Sequence, residues 1–513
     1  MTRDFRWQFP ARLNMAVQII DERARAEPAR LALIDLTEGR RDISYGDLAV
    51  LSHRVGAALV AAGVGPGDRV GVLLSQSALT AAAHAAIWRM GAISVPLFKL
   101  FRHDALESRV RDAGLTVAVT DDEGATLLAP LGVTTLTEAH LPATAAPQPM
   151  AETGPETPAC LIYTSGTTGK PKGALHGHRM LMGHLPGVEV SHDRLGQPGD
   201  VIWTPADWAW IGGLFDVLMP GLALGVPVVA ARLPKFTAAE SIRICREGGV
   251  RNVFFPPTAL RMLRAEGAII PGLRSVASGG EPLGAEMLDW GRAAFGLTIN
   301  EFYGQTECNM VASSAASLFA PRPGCIGRAV PGFRIGVIDA GGAELRRGEE
   351  GDIAIHRGAG SMMLEYWQRP AATAEKFRGD WMLTGDRGRW EGDYLRFVGR
   401  EDDVITSAGY RIGPAEIEDC LMTHPAVATV GVVGKPDPIR TEIVKAYVVL
   451  RPGASASAGE LTEHVRARLS GHAYPREIAF LPALPMTVSG KVIRKDLRAM
   501  AMAEAATPFG GNA

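Results

Sequence analysis

The stretch ACLIYTSGTTGKPKG, residues 159–173, joins an apolar run to a loop of small and hydroxylated residues with two lysines. Residues 159–164 read as a short buried strand, because the run is apolar, brief and followed at once by turn residues. In the loop, Gly166 and Gly169 let the backbone curl so that several N–H groups converge on one anion. Thr164, Ser165, Thr167 and Thr168 add hydroxyl donors, and Lys170 and Lys172 add positive charge. A loop at the carboxyl end of a parallel strand borders the crevice where α/β sheets bind their ligands. The segment therefore predicts an α/β fold with a phosphate cradle. Its spacing is not GxxxxGK[ST], so the P-loop nucleotide fold is not implied.

The surrounding sequence has the same rhythm. From Leu31 to about residue 320, β-rich runs such as 69–74 and 92–98 alternate with helical patterns such as 45–62 and 104–113, as in stacked βα units on largely parallel sheets. Residues 141–158 are rich in Pro, Ala and Thr and read as a surface connection between two subdomains. From 322 to 398 short strands with glycine punctuation predict a small β-barrel-like subdomain. Residues 1–399 are expected to form an N-terminal core, 400–402 a hinge, and 403–513 a mobile α+β lid.

With 513 residues the chain is too long for one hydrophobic core. Its 47% hydrophobic and 21% charged residues describe a globular protein, and a formal net charge of −2 leaves no basic excess for a nucleic-acid backbone. The five cysteines (Cys160, Cys245, Cys308, Cys325 and Cys420) form no CxxC pair, which argues against a zinc site or a disulfide framework. No apolar stretch is long enough to span a bilayer; 210–231 comes nearest and is interrupted by Asp216 and two prolines. The amino terminus lacks an apolar signal core, so a cytoplasmic location and small-molecule partners are expected, with no nucleic acid and no integral membrane contact.

TSGTTGKPKG, residues 164–173, resembles the signature of the adenylate-forming superfamily of acyl-CoA synthetases, peptide adenylation domains and luciferases, and further motifs follow in order from about residue 14 to 498. The resemblance implies ATP, Mg2+ and coenzyme A as co-substrates and cofactor. NEFYGQTEC (300–308) is similar to the adenine and metal motif. It makes Tyr303 the stacking platform, Thr306 the α-phosphate contact and Glu307 the metal ligand, with Glu301, Phe302, Gly304 and Gln305 alongside. A hard cation that keeps much of its water needs only one carboxylate besides substrate phosphates. SGGEPL (278–283) resembles the turn along the adenine edge, through Gly279, Gly280 and Glu281. TGDRGRW (384–390) assigns Asp386 to the ribose hydroxyls, since one carboxylate accepts two hydrogen bonds from a cis-diol. In GREDD, Arg400 is a second ribose contact and Asp402 the pivot of the lid, while Glu401 and Asp403 are read as solvated charges.

Two lid motifs take different roles in time by the same resemblance. PMTVSGKVIRK (485–495) supplies Lys491, which bridges the attacking carboxylate and the α-phosphate while the acyl adenylate forms. SAGYRIGPAEIE (407–418) supplies Gly409 with Ala408 and Tyr410 for the thiol tunnel once the lid has turned, and Arg411 for a phosphate. Arg440 is a weaker candidate for the CoA nucleotide, with a plain surface arginine as its alternative. The pattern PxxxxGK at 485–491 also resembles the recognition sequence of lysine acetyltransferases that silence such synthetases.

Among superfamily members the sequence looks most like the medium-chain acyl-CoA synthetases. Gly304 stands where short-acid enzymes carry a tryptophan floor, which predicts room for a longer or branched acid. Trp210 is the expected wall of the acyl pocket, and Trp208 is either wall or core. Histidine, frequent in the family near Gly212 and Gly213, is absent here, which counts against an aromatic acid. No carrier domain follows the lid, so a diffusible thiol is the expected acceptor. Alternatives are an adenylate-forming ligase serving a carrier protein or another acceptor, an aromatic-acid CoA ligase, and a non-catalytic sensor.

Overall fold

Two β-hairpins set the positions of the ligand-facing loops. In a seven-stranded sheet, Thr134–Leu136, Val117–Thr120, Arg69–Leu73, Ile93–Pro96 and Pro158–Thr164 lie side by side in parallel. Pro158–Thr164 then pairs antiparallel with Lys172–Gly177, Leu161 opposite Leu175 and Thr164 opposite Lys172. A nine-stranded sheet repeats the device. Its parallel run ends at Ser275–Gly279 and Asn300–Gln305, and Asn300–Gln305 turns back into Cys308–Ser313 with Gln305 opposite Cys308. Both hairpin turns thus leave the carboxyl ends of buried parallel strands, the edge where α/β sheets open a crevice. The computed structural model describes residues 5–506 apart from 102, 165–170, 234, 282, 401, 402, 404, 408, 409, 438, 439, 470–473, 488 and 489.

The helices start where the sequence supplies caps. Ser44 accepts from the Asp47 N–H and Asp47 answers to the Ser44 N–H, a capping box for Tyr45–Ala61. Ser77 caps Ala78–Arg89, whose run of alanines lets residues 80–89 lie buried between the two sheets, with Trp88 against Phe215. One continuous core fills that space and packs the two sheets together.

Five strands drawn from residues 335–400 form an antiparallel sheet around Ile353, Ile355, Met382 and Leu395. Its long strand Trp381–Glu391 pairs with Gly351–His356 on one side and with Tyr394–Arg400 on the other, Asp386 facing Arg400. The smaller C-terminal part has its own sheet, built on the hairpin Val427–Asp437 and Thr441–Leu450, and its own core of Ile417, Leu421, Val432, Val444, Val448, Leu461 and Val465. The protein is a mixed α/β fold with a large N-terminal part and a smaller C-terminal one. Among the described residues no helix is long and apolar enough to cross a membrane. All five cysteines are buried and unpaired.

One expectation fails in the connection between the two parts. Asp403, read as a solvated charge, is buried and bonds Arg498 at 2.8 Å, with Arg494 at 3.7 Å. Both arginines belong to the helix Arg494–Ala506, which folds back onto the start of the lid. A carboxylate between two guanidiniums loses little by leaving water.

Candidate active site

Alternation along Asn300–Gln305 divides the site into two faces. Residues 301, 303 and 305 point one way and 300, 302 and 304 the other. On the first face the Tyr303 hydroxyl donates to Asp386 Oδ2 at 2.5 Å, and Gln305 Nε2 donates to the Thr384 carbonyl at 3.3 Å. On the second face Phe302 is buried with its ring 5.1 Å from Phe254 and closely packed on Gly279. Phe302, carried over as nucleotide-binding, therefore offers a nucleotide only its backbone. Glu301 is turned to the Leu283 N–H at 3.2 Å, and burial pushes its carboxyl up to about 8.

Asp386 and Arg400 meet because they are register partners on adjacent strands, Arg400 Nε lying 3.5 Å from Asp386 Oδ1. Burial raises the Asp386 carboxyl, and Arg400, the Tyr303 hydroxyl and Lys376 oppose the rise. Burial and the neighbouring carboxylate push the Tyr303 phenol well above its ordinary range. Tyr303 is thus both a ring beside the crevice and a donor to the carboxylate expected to hold the ribose.

Glu307 stands in the turn after Gln305. The Tyr366 hydroxyl donates to its Oε1, and its own carbonyl accepts from the Met363 N–H at 2.7 Å. Hydrogen bonds to a charged group contribute about 1.5–3 kcal/mol each, enough to fix the carboxylate's orientation. Oε2 has no hydrogen-bond partner among the described residues. One oriented carboxylate with a free oxygen, beside the half-buried Thr306, suits a magnesium ion that takes its other ligands from water and phosphate. The Lys172 ammonium lies 5.4 Å from the Tyr366 ring centre on the same side. Thr164 Oγ1 donates to the Lys172 carbonyl at 3.3 Å, closing the neck of the phosphate loop. Ser165, Gly166, Thr167, Thr168, Gly169 and Lys170 lie outside the described residues.

The smaller C-terminal part contributes Lys491. The bridge between Met486 and Val492 forms a tight hairpin, with Gly490 at φ +81°. Thr258 of the large part donates to the Gly490 carbonyl at 3.0 Å. This contact holds the Lys491 ammonium 5.9 Å from the Trp210 ring centre and 3.6 Å from where a Cβ on Gly280 would lie. Gly280 has φ +100°, so a side chain there would be strained as well as crowded. Burial lowers the ammonium's pKa, while the Glu281 carboxylate opposes the shift. Glu281 itself pairs with Arg261 at 3.0 Å.

Trp210 is half-buried and faces Phe254 at 5.7 Å, whereas Trp208 is core. The Trp210 ring passes so close to Gly212 that a Cβ there would lie 2.7 Å from it, and a Cβ on Gly213 would meet the Asp207 carbonyl at 2.3 Å. No side chain fits at either place as the site stands. Gly304 also differs from the sequence reading. A Cβ there would lie 2.4 Å from Asn309 Oδ1 and 2.5 Å from the Met310 nitrogen, so this glycine accommodates the returning strand and opens no floor. Asn309 in turn donates to both oxygens of the buried Asp216, at 2.8 and 3.0 Å.

The remaining expected residues are not brought to this cluster. Arg440 lies at the turn of the long lid hairpin, its N–H donating to Asp437, and no described contact joins it to the residues above. Tyr410 and Arg411 are on the strand Tyr410–Ile412, but their side chains, like Ala408, Gly409 and Asp402, lie outside the described residues. Sequence reasoning missed Tyr366, Thr258 and Lys376. Lys376 Nζ donates to Gln305 Oε1 at 2.8 Å; burial lowers its pKa, opposed by Glu307 and Asp386. None of the three stands in a motif, and contacts across 59 to 232 residues bring them in.

The sequence profile described as AMP-binding enzyme matches residues 20–367, and that described as AMP-binding enzyme C-terminal domain matches 416–491. The chain belongs to the AMP-binding enzyme family. Among curated relatives of this family member, the uncharacterized acyl-CoA ligase YtcI of Bacillus subtilis is 30% identical over 95% of this chain and 96% of its own. The rat mitochondrial acyl-coenzyme A synthetase ACSM2 is 38% identical over 68% of this chain, a match spanning 62% of that protein's length. Among solved structures, ATP-bound MatB from Rhodopseudomonas palustris superposes with a TM-score of 0.85 at 27% identity, covering 95% of this chain and 99% of that one. The anthranilate CoA ligase AuaEII in complex with anthranoyl-AMP gives 0.87 at 26% identity, covering 97% and 99%.

Proposed function

We propose that this AMP-binding enzyme is an acid:CoA ligase working in two half-reactions. A carboxylate oxygen attacks the α-phosphorus of ATP and pyrophosphate leaves; the CoA thiol then attacks the acyl carbon of the adenylate and AMP leaves. The observation that carries the reading is the gathering of Asp386, Arg400 and Lys491 beside Tyr303, Gly280 and Trp210, with Glu307, Asp386 and Arg400 all acting on Lys376.

In the first half-reaction Lys491 faces the place where negative charge develops between acid and phosphate. Its partial desolvation strengthens that interaction, a contribution of about 3–4 kcal/mol when such a donor is preorganised. Magnesium held by Glu307 would neutralise phosphate charge and favour loss of pyrophosphate. Asp386 orients the ribose, and Tyr303 presents its ring to the adenine. In the second half-reaction the lid turns about residues 400–402, taking Lys491 out and bringing Gly409 with Ala408 and Tyr410 to the thiol's path. The hydrogen bond between Thr258 and the Gly490 carbonyl must break as the lid turns.

The acyl group lies against Trp210, with Phe254 and Phe302 behind it. Aromatic walls favour a hydrocarbon acid, and a medium-length or branched chain is the substrate we assign. An aromatic acid is the second reading, favoured by the superposition on the anthranilate CoA ligase. Acetylation of Lys491 by a lysine acetyltransferase would remove its charge and stop the first half-reaction. It requires the lid to turn out first, because the ammonium faces Trp210 in this arrangement. Mass spectrometry of the cellular protein tests it.

Pyrophosphate release with and without CoA, over straight, branched and aromatic acids, tests the main assignment. A CoA-dependent rise in AMP with a hydrocarbon acid supports it. Release of pyrophosphate without any CoA-dependent AMP points to another acceptor, and silence with every acid points to a nucleotide sensor.

A further inference from the structure

The site holds a half-buried cation that neither the motifs nor the reaction as described uses. Lys376 caps the short helix Pro370–Glu375, its N–H bonding the Ala372 and Thr373 carbonyls, and its own carbonyl accepts from the Leu383 N–H at 2.8 Å. The bond from Leu383 ties it to the strand Trp381–Glu391, which carries Asp386. Its ammonium reaches Gln305 Oε1 at 2.8 Å, its one hydrogen bond among the described residues, and no carboxylate there lies within ion-pair distance. Two of its three N–H donors find no partner among the described residues. A half-buried ammonium with donors to spare and no carboxylate in direct contact points to an anion that arrives with a ligand.

The kind of anion follows from position. The Glu307 and Asp386 carboxylates are the acidic groups that act on Lys376, and Arg400 and Lys172 the cationic ones. Glu307 belongs to the metal end of the nucleotide site and Asp386 to the ribose end. The part of a bound adenylate that lies between a sugar diol and metal-held phosphates is the 5′-phosphate. We propose that Lys376 is a resident cation for this α-phosphate, in contact with ATP during the first half-reaction and with the acyl adenylate during the second.

Lys376 differs from Lys491 in where it is anchored. Lys491 rides on the lid and leaves with it; Lys376 belongs to the large part and stays. In the second half-reaction the thiol loses its proton to solvent, the sulfur–carbon bond forms, and the bond between acyl carbon and phosphate oxygen breaks. The electron pair remains on the phosphate of AMP, whose charge increases as Lys491 stands withdrawn. A fixed ammonium beside that phosphate stabilises the leaving group at this step. The inference rests on the ligase reading above, and Lys376 is a catalytic residue in it because it touches the phosphate.

The test uses the full chain with Lys376→Met, Lys376→Gln and Lys376→Arg, and two readouts. Calorimetry compares AMP with adenosine, which lacks the phosphate. Single-turnover kinetics follow pyrophosphate release from ATP and, separately, thioester formation from a supplied acyl adenylate. Removing a charged hydrogen-bond donor is expected to weaken AMP by about 10- to 100-fold in Lys376→Met and to leave adenosine unchanged. Both half-reactions are expected to slow, with Lys376→Arg recovering most of the loss. Lys376→Gln keeps a donor for Gln305 and removes only the charge, so it carries the comparison if Lys376→Met fails to fold. Equal loss of AMP and adenosine binding, or loss of the first half-reaction alone, would overturn the proposal. If the unaltered protein shows no preference for AMP over adenosine and no use of ATP, the ligase reading fails instead.

Discussion

Replacing Gly304 by alanine separates two accounts of the acyl pocket. If Gly304 were an opened floor, an added methyl would shorten the pocket and penalise long acids alone. The geometry requires something else. The methyl would lie 2.4 Å from Asn309 Oδ1, 2.5 Å from the Met310 nitrogen and 2.7 Å from Asn309 Cα. Ordinary contacts are about 3.5–4 Å, so the returning strand would have to retreat by about 1 Å. It has nowhere to go. Met310 already has φ +52°, and on its far side lies Gly187, where an added Cβ would meet Met310 Cβ at 2.4 Å. Overpacking of this kind costs about 1–3 kcal/mol. Because Gly304 lies between Tyr303 and Thr306, we expect kcat/KM to fall about 5- to 150-fold for every acid alike, with a lower Tm. The assay is pyrophosphate release over straight-chain acids from acetate to dodecanoate, with thermal unfolding alongside. Undiminished activity with short acids and selective loss of long ones would refute the packing argument.

Other outcomes follow from the same contacts. Thr258→Val removes the bond to the Gly490 carbonyl and should slow adenylation by about 2- to 10-fold, a net hydrogen bond's worth, while thioester formation from a supplied adenylate is unchanged; equal slowing of both would count against it. Glu301, with its carboxyl pushed up to about 8, keeps a proton in the folded protein that the unfolded chain loses near its ordinary range. Stability should therefore fall as pH rises from about 4.5 to 8, by at most about 1.4 kcal/mol per pH unit, and Glu301→Gln should remove that slope. Parallel melting curves of the two proteins across this window would exclude the effect. Asp403→Asn leaves Arg498 and Arg494 without their shared charge and should destabilise the C-terminal part by about 1–3 kcal/mol, read by limited proteolysis of the lid. An unchanged cleavage rate would show that solvent screens these pairs.

Much of the fold was legible in the sequence, because apolar strands and helical patterns alternate regularly and the phosphate loop follows a strand. Helix 45–62 appears as Tyr45–Ala61, since Ser44 and Asp47 mark its start and burial of one face its length. The motifs named Tyr303, Glu307, Asp386 and Lys491 in advance of any contact between them, and register explains the meeting of Asp386 with Arg400. What the sequence did not reveal depends on direction and long-range approach. Phe302 turns to the core because strand alternation sends it opposite to Tyr303. Gly304 adjoins a backbone that returns from only a few residues on, a contact no composition signals. Tyr366 and Lys376 come from a segment whose residues look ordinary; pairing of Glu365–Tyr366 with Lys172–Gly177 brings in the first, and the bond from Leu383 of the five-stranded sheet the second. Asp403 looked solvated because its arginine partners stand more than ninety residues later.

The division of labour between the core and the lid is tested most directly with Lys491→Ala in two single-turnover measurements, adenylate formation from ATP and acid, and thioester formation from a supplied acyl adenylate and CoA. The account predicts that adenylation is abolished and thioester formation is preserved. Equal loss of both half-reactions, or adenylation that survives without this ammonium, would contradict it.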